Sequence, residues 1–254
     1  MKKDFTFKTL AIAAALAMAT SCGDKKDPAP RDDALADLKT SSKHIVDPMD
    51  WILFETKKKV KGSIFFHQLM KQDSTLLTTL SEVEFSVAEI YDRGTMVVAN
   101  MPLMGQNDDN DGKLEPLATG GLLFFGAEQG GEDLLFDRYS QFNVEGLETS
   151  FTGGDPGNND THLWMGVRDA GGNQTWVNSP PDDVSRVGEA MFMGGTDPYH
   201  IESNVIGWVN VGWFYAYNGT KTKIKVSVPD GYDNKNAAVY LAYENEPNLL
   251  AQLY

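Results

Sequence analysis

The sequence predicts an all-β fold, antiparallel and sandwich-like. Short runs rich in Val, Ile and Phe recur at roughly ten-residue spacing, as in sandwiches and barrels. Gly-rich clusters such as "NDDNDGK", "TGG", "QGGED", "TGGDPGNND" and "DAGGNQ" separate them as turns. No helical period persists over three turns after residue 44.

The chain has 254 residues, 41% of them hydrophobic and 23% charged, enough for one large domain or two small ones. Its formal net charge is -14, which argues against nucleic acid or anionic headgroups as partners.

The first element is not part of the fold. Lys2, Lys3 and Lys8 precede the apolar run "TLAIAAALAMA". That run is too short for a bilayer, which needs about 20 apolar residues, and the pattern is that of a secretory signal peptide over 1–21. Ala19, Thr20 and Ser21 then lead to Cys22, the single cysteine of the chain. This stretch resembles a bacterial lipobox. The resemblance implies that diacylglycerol alkylates the Cys22 thiol and that cleavage makes Cys22 the new N-terminus. Lone cysteines make no internal disulfide, and exposed free thiols are a liability in an exported chain. Two or three palmitate-type acyl chains anchor stably where one is marginal. The partner implied at this end is the lipid bilayer, and the expected location is the bacterial cell envelope, at the outer membrane.

Residues 22–43 follow as a tether, rich in charge, Pro and Ala and without an apolar period. The charges after Cys22 resemble the surface-export signals of Bacteroidota lipoproteins.

From 44 to 180 the sequence predicts a sandwich-like β domain. "DWILFET", "KGSIFFHQ", "EVEFSVAEIY", "GTMVVANMPLM" and "GGLLFFGAEQ" supply its strands. Ser74–Val83 is a short helix candidate. Pro180-Pro181 breaks any strand and marks a boundary, so 181–254 reads as a smaller antiparallel β unit packed on the first. Within it, Asn218-Gly219 is a strong two-residue hairpin signal, since a type I′ turn needs positive φ at both positions. Folding about it places Trp213 opposite Ile224, Val211 opposite Val226 and Val209 opposite Val228. A third strand holds Ala238, Tyr240 and Ala242, after an Asp230-Gly231 turn.

"VEFSVAEIYDRGTMVVANMPLM", "LATGGLLFFGAEQGGEDLLF" and "IGWVNVGWFY", with the segments after it, resemble large β-rich surface and envelope lipoproteins of the Bacteroidota. The likeness covers most of residues 80–245. Members often carry an acid just after the Asn strand position, where this chain has Val211-Gly212-Trp213. The resemblance therefore implies no catalytic residue here.

Calcium is the one cofactor the sequence brings into question. Asn107, Asp109 and Asp111, with Gly112, match the first half of an EF-hand loop. The twelfth position is Ala118, so the bidentate Glu is missing and a solvated acidic turn is the better reading. His44, His67, His162 and His200 show no metal-ligand spacing, and the pair His200 and Glu202 is a surface motif. No nucleophile elbow, phosphate loop or dinucleotide fingerprint occurs. Trp164, Trp176, Trp208, Trp213, Tyr215 and Tyr217 suggest a sugar-stacking platform, but the hairpin pattern turns most of them to the core. Trp208 is left as the exposed ligand-binding candidate. Asp73-Ser74-Thr75 resembles the short O-glycosylation site of Bacteroidota exported proteins. Together these features imply a membrane-anchored, non-enzymatic binding or structural module for a glycan or an envelope protein. The competing reading is a hydrolase acting on polysaccharide, which needs a carboxylate pair that no motif marks.

Overall fold

The computed structural model describes residues 37–46, 51–56, 60–65, 69–77, 81–107, 111–136, 140–144, 162–168, 173–178, 188–192, 199–203, 206–215, 223–233, 236–244 and 246–253. In chain order the strands begin with β1 (Thr40–Val46), β2 (Trp51–Glu55), β3 (Val60–Phe65), β4 (Leu69–Met70) and β5 (Ser81–Ile90). Helix α1 (Arg93–Val98) comes next. After it run β6 (Met104–Asn107), β7 (Lys113–Gln129), β8 (Glu132–Asp133), β9 (Leu135–Phe136) and β10 (Ser140–Val144). Then come β11 (His162–Arg168), β12 (Gln174–Val177), β13 (Gly188–Phe192) and β14 (Tyr199–Ser203). Last are β15 (Gly207–Phe214), β16 (Val239–Ala242) and β17 (Leu250–Leu253). The chain is all-β, as the turn spacing implies.

The architecture centres on β7, a strand of 17 residues. Its first part pairs with β6, its middle with β15 and its last part with β5, all antiparallel. Strand β15 continues to β11 and β11 to β12. Strand β12 returns to β6 through a parallel pair, Trp176 with Gly105. The five strands β6, β7, β15, β11 and β12 thus close into a barrel. Where the sequence suggests a sandwich, the structure shows this ring with extra strands. Closure leaves the ring no open edge.

The long strand turns the barrel's corner at a bulge. Val211 pairs with Gly121 but Gly212 pairs with Thr119, so Gly120 is the extra residue. The Thr119 hydroxyl accepts from the Gly121 N–H and donates to the side-chain carbonyl of Asn210. Both side chains are buried.

Register sorts the two faces. Trp164 pairs with Asn210, and Asn210 with Leu122, so these three point to one side. That side is the inside of the ring. Trp164 and Trp176, with Leu103, Leu117 and Leu122, form a buried cluster there. Small residues face the large ones: a Cβ on Gly105 would lie 2.8 Å from a methyl of Leu117. Met96 of α1, with Ala99 and Met101, packs against the same cluster. The opposite face of β5, β7, β15 and β11 carries Phe85, Phe125, Val209, Val211 and Leu163 in a second cluster. Ile52 of β2 joins this cluster and Phe54 packs on it, with its ring 4.9 Å from Phe85. Strand β2 ends a second sheet of order β13-β14-β10-β3-β2, and this edge lies over the barrel.

Several expectations are corrected. Residues 94–98 are helical, although Val97 and Val98 favour strands. Asp92 caps them, accepting from the Thr95 N–H at 2.9 Å and the Thr95 hydroxyl at 2.8 Å. The expected helix over Ser74–Val83 is not there among the described residues: Leu76 bridges to Met70, and Ser81 begins β5. The pairing of β15 with 224–228 does not form. Strand β7 runs along all of β15 on one side and β11 covers Val209–Gly212 on the other, so the positions expected to face Val226 and Val228 are taken. Asn218-Gly219 lies outside the described residues. The third predicted strand exists as β16, paired instead with β17, and a turn precedes it in which Tyr232 N–H bonds the Pro229 carbonyl. Sheets also run across the division expected near 180, since β14 pairs with β10 and β15 sits between β7 and β11. Strand β1 starts at Thr40, inside the stretch read as tether.

Candidate functional site

The barrel interior is filled. Trp164 and Trp176 have no exposure, and each spends its indole N–H inside: Trp164 on the Gly212 carbonyl at 2.9 Å, Trp176 on the Pro102 carbonyl at 2.8 Å. Phe214 stacks edge-on against Trp164 with ring centres 5.0 Å apart. These side chains do the work of a core.

The other aromatic candidates follow suit. Trp213 is buried. Trp208 is half-buried, its ring 5.5 Å from Phe124 on the inner face of the sheet. Tyr215 lies half-buried against Tyr243 at 5.5 Å. Tyr217 lies outside the described residues. Among the described residues of this set none is exposed.

The described ends of the acidic loop bond to each other and to β7. The Asn107 amide donates to the Glu115 carboxylate at 3.0 Å, and the Gly112 N–H bonds the Asn107 carbonyl at 2.9 Å. Asp111 is exposed with φ 54. Asp109 and Cys22 lie outside the described residues. Among the described residues no three His, Cys, Asp or Glu side chains come together to hold a metal. His44 reaches Ser42 at 2.8 Å, and His162 sits edge-on to Trp164 with ring centres 6.3 Å apart. His200 lies in β14, and His67 is outside the described residues.

Two polar groupings have shifted acidities. The Tyr91 hydroxyl donates to Glu89 at 3.1 Å. Burial, then the Glu89 charge and this hydrogen bond, hold the Tyr91 phenol well above its ordinary value. Asp73 sits in an exposed turn and accepts from the Thr75 N–H at 3.0 Å. Hydrogen bonds from Thr75 hold its carboxyl below the usual range. Neither grouping has the two facing carboxyl groups that glycoside hydrolysis uses.

The surface feature that stands out is the edge strand β2. Trp51 is 57% exposed and Leu53 70%, side by side on the outer face, with Glu55 next in line. Ile52 and Phe54 point the other way, into the core. Sequence reasoning missed this site because "WILFE" is apolar on both faces, so alternation does not say which face is wet. Among the described residues the sheet order ends at β2, so its outer edge carries no further strand. Edge strands present a row of N–H and C=O groups to a partner. No helix among the described residues is long and apolar enough to cross a membrane.

Compared with known proteins, the chain matches no family model, no curated protein and no solved structure.

Proposed function

We infer that this protein is an exported, lipid-anchored module of the bacterial cell envelope that works by binding and not by catalysis. The observation that carries the binding half is the division between inside and outside. The barrel interior is occupied by its own tryptophans, while Trp51 and Leu53 are exposed together on an edge strand. A rigid β scaffold with an apolar strip at its rim fits recognition of a protein strand or an envelope polymer. The anchoring half rests on Cys22 behind its short apolar run, followed by the charged stretch before β1. The resemblance of segments within 80–245 to Bacteroidota envelope lipoproteins supports the same location.

Expression in a bacterium that processes lipoproteins, with palmitate labelling and detergent-phase partition, tests the anchor. The wild-type chain takes up label and enters the detergent phase, and Cys22→Ser does neither. A Cys22→Ser chain that still partitions with membrane overturns the anchor. Release of new reducing ends from a polysaccharide panel by the purified chain overturns the non-catalytic reading.

A further inference from the structure

The segment Lys223–Val228 has the residue pattern of a strand but no strand neighbour among the described residues. Ile224, Val226 and Val228 alternate with Lys223, Lys225 and Ser227, a β-branched stripe against a polar one. Ile224 is 39% exposed and Val228 37%. Among the described residues none of these six has a backbone hydrogen-bond partner, and none lies in a strand. The strand they would extend as a hairpin, β15, already has β7 and β11 on its two sides. The same chain carries an edge without a strand on it, β2.

We propose that Lys223–Ser227 adds as a strand to the open edge of β2 in a second copy of this chain. Pattern sets the register. Antiparallel pairing with Phe54 opposite Ile224 and Ile52 opposite Val226 extends the apolar face that already covers the barrel. It puts Lys223 opposite Glu55, Lys225 opposite Leu53 and Ser227 opposite Trp51. The charges are complementary: two lysines in a chain of net charge -14 meet a strand whose one charged residue is Glu55. Lys225 also comes beside the exposed Trp51, where a cation is favoured over the ring face. If each copy donates to the other, the assembly closes as a two-fold dimer; one-way donation leads to open chains. The inference goes beyond the proposed binding role and stands whether or not the chain is lipid-anchored.

The test mixes two otherwise full-length chains, both carrying Cys22→Ser, one with Leu53→Cys and the other with Lys225→Cys. Under mild oxidation the mixture forms a disulfide-linked heterodimer, while Leu53→Cys mixed with Asp230→Cys forms little. Light scattering on the Cys22→Ser chain then reads a dimer. Lys223→Glu raises its dissociation constant about tenfold, for two directly opposed pairs that each change from attraction to repulsion. Adding Glu55→Lys to Lys223→Glu restores it. A monomer at all concentrations, equal crosslinking with the Asp230→Cys control, or a Lys223→Glu defect that Glu55→Lys fails to repair overturns the proposal. A Leu53→Cys/Lys225→Cys double variant that crosslinks only within one chain overturns it too.

Discussion

The indole N–H of Trp164 donates to the backbone carbonyl of Gly212 at 2.9 Å inside the barrel, from β11 to its neighbour β15. Both partners are buried, so water does not replace the bond. A buried carbonyl that loses its donor costs about 1–3 kcal/mol. Trp164→Phe keeps most of the ring volume and loses the donor. Urea unfolding should therefore show a loss of that order, with the slope of the transition unchanged.

Gly212 itself leaves no room for a side chain. A Cβ there would sit 2.5 Å from the backbone oxygen of Ala118, which the bulge holds in place. Gly212→Ala should destabilise by about 1–3 kcal/mol, the range for overpacking a core. Gly130 supplies the contrast. It has nothing within 4 Å of its would-be Cβ but φ +63, so Gly130→Ala costs backbone strain alone, about 1 kcal/mol. Thermal melts of the two variants should separate in that order.

Helix α1 has six residues and depends on its cap. Asp92→Ala removes the bonds to both the N–H and the hydroxyl of Thr95. The expected loss is about 0.5–2 kcal/mol, and Asp92→Asn should recover most of it. Because Met96 packs in the inner cluster, the loss should appear in global unfolding and not merely as local fraying.

At high pH the Tyr91 phenol weakens the fold. Its folded pKa is raised by burial and by Glu89, so above about pH 10 the unfolded chain releases a proton that the folded chain retains. The stabilising contribution is complete below that pH and declines as pH rises further. Tyr243, also raised by burial, acts in the same direction. Tyr91→Phe should flatten the alkaline limb of a stability-against-pH curve between about pH 10 and 12. An unchanged slope there would mean that Tyr91 ionises in the folded chain as freely as in the unfolded one.

Local patterns carried far in this chain. β2, β3, β5 and β7 lie where their apolar runs predict. The turn at Gly131, with φ 84, and that at Gly231, with φ 90, fall at glycines that the pattern marks. Val97 and Val98 give the run after Gly94 the residue types of a strand, yet Asp92 caps a helix there. The cap bond is local, but the burial of Met96 in the inner cluster is a tertiary fact, and the two together decide the helix.

By itself the sequence determined that this protein is built of strands, because residue type and turn chemistry act within a few positions of each other. It also placed the single cysteine behind a short apolar run. Only the tertiary structure decided that the strands close into a barrel. That closure rests on β6, the sequence neighbour of β7, also pairing through Gly105 with Trp176 of β12, a contact between segments far apart in the chain. Tertiary structure likewise chose which apolar face of β7 is inside, since Leu122 and Leu123 read alike until they are packed. And it left Lys223–Val228 without a strand partner among the described residues: a strand edge accepts one neighbour, and β7 and β11 had taken the positions of β15 expected to face Val226 and Val228.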